Sequence, residues 1–172
     1  MKEWASRTKR RLAFFVPGIP AAQPSRGAAV GKNGKPYTFT RTGAWVQWRA
    51  DVKQFAAAAM EQDGNTEPMT DSVFIDATFI FPRTKSAPMI KPKAHKVKPD
   101  LSNLLKNLED ALKGVLLADD KIVNGAELHK LYAMPGGRVG VSLLFVESHI
   151  ALCEGMTSAA PGAAKRSERY GK

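Results

Sequence analysis

The stretch that decides the fold is residues 98–120, KPDLSNLLKNLEDALKGVLLADD. Its apolar side chains recur at helical spacing, which predicts an amphipathic helix that packs one face against a core. These side chains are Leu101, Leu104, Leu105, Leu108, Ala111 and Leu112. Pro99 precedes the helix, and Asp100 or Ser102 can cap its first amides. Gly114 follows where a left-handed residue is wanted, so both ends of the helix are marked.

The other face of this helix is polar and differs in charge from the rest of the chain. At about 100° per residue, one strip holds Asp100, Asn103, Asn107 and Asp110, with Lys106 beside it. Residues 100–120 contain five acids and two lysines, a net charge of −3 (2 − 5), in a chain of net charge +10. The acids are Asp100, Glu109, Asp110, Asp119 and Asp120. An acidic cluster in a basic protein can meet a polyanion when a divalent cation lies between them.

The spacing of these polar residues resembles that of a known family. The segments are Asp100-Leu-Ser102-Asn103-Leu-Leu-Lys106, then Asp110-Ala-Leu, then Asp119-Asp120. They resemble the RusA family of Holliday-junction resolvases, in which an Asp-x-Asp-Asn-x-x-Lys helix start is followed by paired aspartates. The resemblance is specific over residues 98–123 and looser over about 12–147.

The resemblance implies a Mg²⁺-dependent endodeoxyribonuclease, with Mn²⁺ as an alternative ion, that resolves Holliday junctions by paired nicking in DNA recombination and repair. It implies that Asp100 and Asp120 are catalytic metal ligands and that Lys106 orients or neutralises the scissile phosphate. Asp119 would ligate the ion or support it, and Asp110 would steady the site from the next helical turn. The implied assembly is a homodimer, because two symmetric cuts require two equivalent sites.

One residue departs from the family pattern. Ser102 stands where the family has its second aspartate, so the ion would be held by fewer carboxylates. Asn103 offers a carbonyl oxygen, and Asp119 or water could fill the gap. The alternative function is therefore a catalytically weakened or inactive protein of this family that only binds branched DNA.

Each acidic residue also has a purely structural interpretation. Asp100 alone could be a helix cap, and Asp119 with Asp120 could form a turn before a strand. Their joint occurrence with Lys106 and Asn103 at the family spacing favours a site.

The basic residues identify a candidate nucleic-acid surface. Residues 83–98 carry six cations and no acid, and they lead directly to Asp100. This run is either a solvated loop or a phosphate-contacting segment, and its position beside the acidic strip favours phosphate contact. Candidate DNA-binding residues are Arg26, Lys35, Arg41, Arg83, Lys85, Lys91, Lys93, Lys96 and Lys98. Tyr37 and Phe39 could stack on an unpaired base or anchor their own loop. A basic RNA-binding protein is disfavoured because it leaves the carboxylates without a role.

The remaining pattern predicts an α+β fold of order β-loop-α-β-α-β-β, a small mixed β-sheet with two helices on one face. Strands are expected at 12–16, 72–81, 122–133 and 138–147, a partly hairpin-like loop at 21–43, and a second helix at 44–60. Pro135-Gly136-Gly137 is expected to close a hairpin between the last two strands. Trp45 and Trp48 suggest that helix 44–60 forms a dimer contact. The acids at both ends of residues 100–120 are expected to meet at one edge of the sheet.

Three domain segments are expected: a basic flexible N-terminus at 1–11, a nuclease-like domain at 12–147, and a flexible basic tail at 148–172. No apolar run is long enough to cross a bilayer, which predicts a cytoplasmic protein without membrane contact. The family resemblance implies a bacterial or phage-infected cell. The single cysteine, Cys153, excludes a disulfide framework and a cysteine-based zinc site.

Overall fold

The computed structural model describes residues 8–24, 27–39, 43–83 and 94–148. In chain order its elements are β1 (Thr8–Pro17), β2 (Gly27–Val30), β3 (Pro36–Phe39), α1 (Ala44–Asp63), β4 (Ser72–Phe81), α2 (Leu101–Leu112), β5 (Val123–Tyr132) and β6 (Gly140–Ser148). A short 3-10 turn, Asp120–Ile122, leads into β5. The predicted tail with Cys153 lies outside the described residues.

Four strands form one mixed sheet in the order β1-β6-β4-β5. The pair β4 and β5 is parallel, whereas β6 is antiparallel to both β1 and β4. A separate hairpin, β2 with β3, fills the loop that was expected to be partly hairpin-like. The two helices pack on each other and on one side of the sheet, which confirms the predicted α+β fold.

The core forms where the predicted periodicities meet. Along β4 every second residue is buried, from Val73 to Phe81, because successive side chains of a strand point to opposite faces. Leu104, Leu108 and Leu112 of α2 are fully buried against this face. Burial of such side chains stabilises a fold by about 1.5–3 kcal/mol each, so the apolar face of α2 fixes its orientation.

Two expectations about the strands were wrong in their details. β1 begins at Thr8 instead of Leu12, because the Arg10 guanidinium is buried and donates to the Asp63 carboxylate and to the carbonyl oxygens of Asn65 and Glu67. β5 and β6 do not form a hairpin, since β4 lies between them. The connection that contains residues 135–137 therefore passes over the end of β4 to join β5 to β6.

The tryptophans of α1 belong to the protomer itself. Trp48 is buried, with its ring 6.3 Å from that of Phe79, and the Arg49 guanidinium lies 5.0 Å from the ring centre of Trp45. Both aromatic surfaces are thus used within the fold. They give no support to the expected dimer contact through this helix.

The connection from β4 through α2 to β5 determines where the polar residues lie. Because β4 and β5 are parallel, α2 must carry the chain back along the sheet between them. The residues before α2 and those after it consequently lie at opposite ends of the sheet. The described residues contain no helix that is long and apolar enough to span a membrane.

Candidate functional site

Asp100 lies at the N-terminal end of α2, where it occupies the cap position. Its backbone is extended and its carbonyl accepts the Leu104 amide at 3.1 Å, but its carboxylate makes no capping hydrogen bond. The side chain is exposed. This carboxylate is therefore available to a cation. If Asp100 served only as a helix cap, its carboxylate would be expected to accept a backbone amide of α2.

An open depression adjoins Asp100. Its walls are residues 21–24 on one side and Lys98, Pro99, Asp100 and Asn103 on the other. Two candidate residues, Lys98 and Asn103, thus share a surface with Asp100, and the Lys98–Pro99 peptide bond at its rim is cis. A positive and a negative side chain at one concave surface suit a bound phosphate with its counter-ion.

Asp119 and Asp120 lie beyond the C-terminal end of α2. The Lys113 ammonium is 3.4 Å from the Asp119 carboxylate and 3.0 Å from that of Asp120. Gly114, with a φ of +74°, turns the chain just after Lys113 and donates its amide to the Leu117 carbonyl. One positive charge can therefore contact both aspartates at once, and in this structure that charge is the Lys113 ammonium.

The protonation of this acidic end is set by its neighbours. Hydrogen bonding with Asp120, the Lys121 amide and the Lys113 ammonium lowers the pKa of Asp119 to about 2. The same two aspartates raise the pKa of Lys113. Burial, followed by the charges of Asp120 and Asp110, raises the pKa of Glu109. Asp120 is thus close enough to α2 to disfavour a second negative charge there.

The two acidic ends do not meet within one chain, contrary to expectation. Asp100 precedes and Asp119–Asp120 follow a helix of 12 residues, whose length is about 18 Å. Among the described residues, no three histidine, cysteine, aspartate or glutamate side chains are arranged to hold a metal ion. Sequence reasoning missed this separation because it depends on the parallel pairing of β4 with β5.

Between the two acidic ends, α2 presents one polar face to solvent. Ser102, Lys106, Glu109 and Lys113 are spaced by four, three and four residues and share this face. The side chains of Ser102 and Lys106 are exposed, and that of Glu109 is half-buried. Lys106 therefore lies between the two acidic ends, and it forms no ion pair with a carboxylate of the described chain.

The second half of the predicted polar strip faces α1 instead of solvent. Asn107 is fully buried and donates to the Ala21 carbonyl at 2.8 Å. The Arg49 guanidinium donates to Asn107, Asp110 and Gln23, each at 2.9 Å. This contact fixes α2 to α1 and to the wall of the depression. Asp110 is thus bonded to Arg49, a residue that the helical pattern gave no reason to select.

The predicted DNA-binding residues are only partly within the described chain. Lys35 is exposed at the β2–β3 hairpin, and Lys96 and Lys98 are exposed before α2. Arg83 donates to the Ala133 carbonyl at 3.0 Å, so it is partly used within the fold. Arg26, Arg41, Lys85, Lys91 and Lys93 lie outside the described residues.

A buried histidine anchors the segment that leads to Asp100. The His95 ring stacks on Phe81 at 4.1 Å and lies 4.8 Å from Tyr132, and its amide donates to the Lys130 carbonyl. Within the described chain, His95 Nδ1 is buried without a hydrogen-bond partner. Burial, together with the charge of Lys130, lowers the pKa of His95.

This environment predicts a pH-dependent stability. The unfolded chain takes up a proton at His95 near pH 6.5, whereas the folded chain resists it, so the free energy of unfolding should fall as pH drops below that value. Urea unfolding at pH 7.5 and 5.5 measures this decrease. In His95→Phe, the decrease in the free energy of unfolding should be smaller than in the unaltered chain by up to about 1 kcal/mol. His129→Gln, at an exposed histidine 3.1 Å from the Glu127 carboxylate, is the comparison variant and should not remove this loss. An equal loss in His95→Phe and the unaltered chain would contradict the prediction.

Comparison with known proteins identifies one matching family. The model of the family described as endodeoxyribonuclease RusA matches residues 17–143, which include both acidic ends, both helices, and strands β4 and β5. A comparison with curated individual proteins gives no match.

Proposed function

Because the chain belongs to the RusA endodeoxyribonuclease family, we propose that it is a Mg²⁺-dependent endonuclease that resolves Holliday junctions by paired nicking in the cytoplasm. The observation that carries this proposal is the family match, together with the exposed carboxylates and Lys106 on α2. Shape-selective cleavage through phosphate contacts also gives the net charge of +10 a role.

The donor chemistry of both acidic ends fits a hard divalent cation. Carboxylate oxygens are the ligands that Mg²⁺ and Mn²⁺ prefer, and the Lys113 ammonium already bridges Asp119 and Asp120. Asp100, Asp119 and Asp120 would hold the ion. When bound, it supplies an activated water and offsets negative charge at the phosphate.

The separation of the two ends supports a homodimer with composite sites. Since α2 keeps Asp100 apart from Asp120 in one chain, we propose that Asp100 of one protomer and Asp120 of its partner serve the same ion. A two-fold axis then produces two such sites, as paired nicking requires. The protomer alone would be incomplete.

The other residues of the site act on the DNA itself. Lys106, exposed on α2, would neutralise the phosphate that is cut, for which its compact charge is suited. Lys98 would contact a neighbouring phosphate from the rim of the depression, and Lys35 would do so from the hairpin. Asn103 would orient Asp100 or water at the same surface.

Cleavage of a synthetic four-way junction, with and without Mg²⁺, tests the proposed function. We expect symmetric nicks in opposing strands only with the metal, and no cleavage of a linear duplex of the same sequence. Intact junctions at every Mg²⁺ concentration, despite binding in a gel-shift assay, would overturn it.

That outcome would favour a second candidate, a family member that only binds branched DNA. The observation in its favour is Ser102, which leaves Asp100 without a second carboxylate on the exposed turn of α2.

Ser102→Asp is expected to lower the Mg²⁺ concentration for half-maximal cleavage by about tenfold, because each added carboxylate strengthens ion binding. Ser102→Asn, which has a similar size without the charge, is the matched control. A Mg²⁺ titration of cleavage measures both. An unchanged or higher requirement in Ser102→Asp would show that position 102 does not face the ion.

A further inference from the structure

Lys130 of β5 is bonded to the segment that precedes Asp100. Its ammonium donates to the Val97 carbonyl at 2.8 Å and to the Pro99 carbonyl at 2.6 Å. Pro99 is the residue immediately before Asp100. The Lys130 ammonium is therefore hydrogen-bonded to the peptide group that joins Pro99 to Asp100, a candidate metal ligand, although Lys130 belongs to a different element.

The backbone of the same residue holds the segment a second time. The Lys130 carbonyl accepts the His95 amide at 2.9 Å, and Ala94 forms a bridge with Leu131. Residues 94–99 are thus fixed to β5 at both of their ends. The His95 ring also stacks on Phe81 of β4, which adds a contact between this segment and the core.

The Lys130 charge is used within the protein. Two short, charge-assisted hydrogen bonds hold the ammonium on backbone carbonyls that would otherwise need water. An ammonium in this position is not directed at a phosphate, so its loss should affect the placement of Asp100 more than the affinity for DNA.

We propose that Lys130 is a positioning residue, which sets the place of Asp100 and Lys98 by holding the carbonyls of Val97 and Pro99. This inference rests on the proposed function and deepens it. A displacement of about 1 Å can cost a hundredfold in rate, so a residue without substrate contact can matter this much.

Lys130→Met is the test variant, and Lys53→Met is its control at an exposed position on α1. We expect Lys130→Met to cleave a saturating four-way junction about 10–100-fold more slowly and to need more Mg²⁺, with junction affinity within about twofold of the unaltered chain. Lys130→Arg, which can donate to both carbonyls, should restore most of the rate. A rate and Mg²⁺ requirement equal to those of Lys53→Met would overturn the proposal.

Two measurements do not depend on cleavage. Amide hydrogen exchange in residues 94–104 should rise in Lys130→Met while exchange in α1 stays unchanged. In the unaltered chain, a lysine-acylating reagent should modify Lys130 more slowly than Lys53, which remains testable even if Lys130→Met does not fold. Equal labelling of both lysines, or unchanged exchange, would refute the anchoring role. Absence of cleavage by the unaltered chain would instead refute the proposed function.

Discussion

Asp120→Asn is expected to reduce junction cleavage by at least about 1000-fold, because it removes a proposed ligand of the ion on which the proposed reaction depends. Asparagine has nearly the same shape as aspartate, so folding should be preserved. Junction affinity should stay equal or increase, since one negative charge facing a polyanion is lost. Single-turnover cleavage and gel-shift assays measure the two effects separately.

Asp51→Asn is the matched control for this prediction. Asp51 lies on α1, where it accepts a hydrogen bond from Gln47 at 2.8 Å. Its replacement should leave cleavage unchanged. Cleavage by Asp120→Asn at the rate of Asp51→Asn would show that Asp120 only shapes the turn before β5.

Lys106→Met is expected to slow cleavage by about 100-fold without changing the Mg²⁺ requirement, because Lys106 is proposed to neutralise the phosphate and not to ligate the ion. Lys106→Arg should retain part of the rate, since the charge remains but its geometry differs. A Mg²⁺ titration at saturating junction separates these effects. Lys53→Met should behave as the unaltered chain.

A contrary result for Lys106 would be informative. If the rate were unaffected while the junction affinity fell, Lys106 would be one of several phosphate contacts of the bound DNA. A raised Mg²⁺ requirement would instead connect Lys106 to the acidic residues.

Local periodicity predicted most of the fold. The alternation of Val73, Ile75 and Phe79 identified β4, and the helical spacing of Leu104 and Leu108 identified α2, because both patterns reflect burial on one face. Strand neighbours were not predictable in this way. The prediction of a hairpin between β5 and β6 was wrong, because the order of strands in a sheet depends on long-range packing. A turn that contains Pro and Gly does not indicate which strands become neighbours.

The residues of the candidate site were easier to select than to arrange. Asp100, Lys106 and Asp120 were selected because they match the family pattern, but whether a helix joins or separates them depends on the direction of β5. Arg49 and Lys130 escaped selection for a similar reason. The side-chain partners of Arg49 are 26, 58 and 61 residues away in sequence, and those of Lys130 are 31 and 33 residues away, so no local pattern connects them.

Mixed dimers provide the most direct test of the claim that the acids at the two ends of α2 serve one ion across a two-fold axis. Asp100→Asn and Asp120→Asn chains carrying different affinity tags would be coexpressed, and the heterodimer isolated. If the sites are composite, both replacements fall in one site of the heterodimer and the other site is intact. The heterodimer should therefore nick one junction strand, although each homodimer is inactive. A heterodimer that binds the junction but cuts neither strand would contradict composite sites.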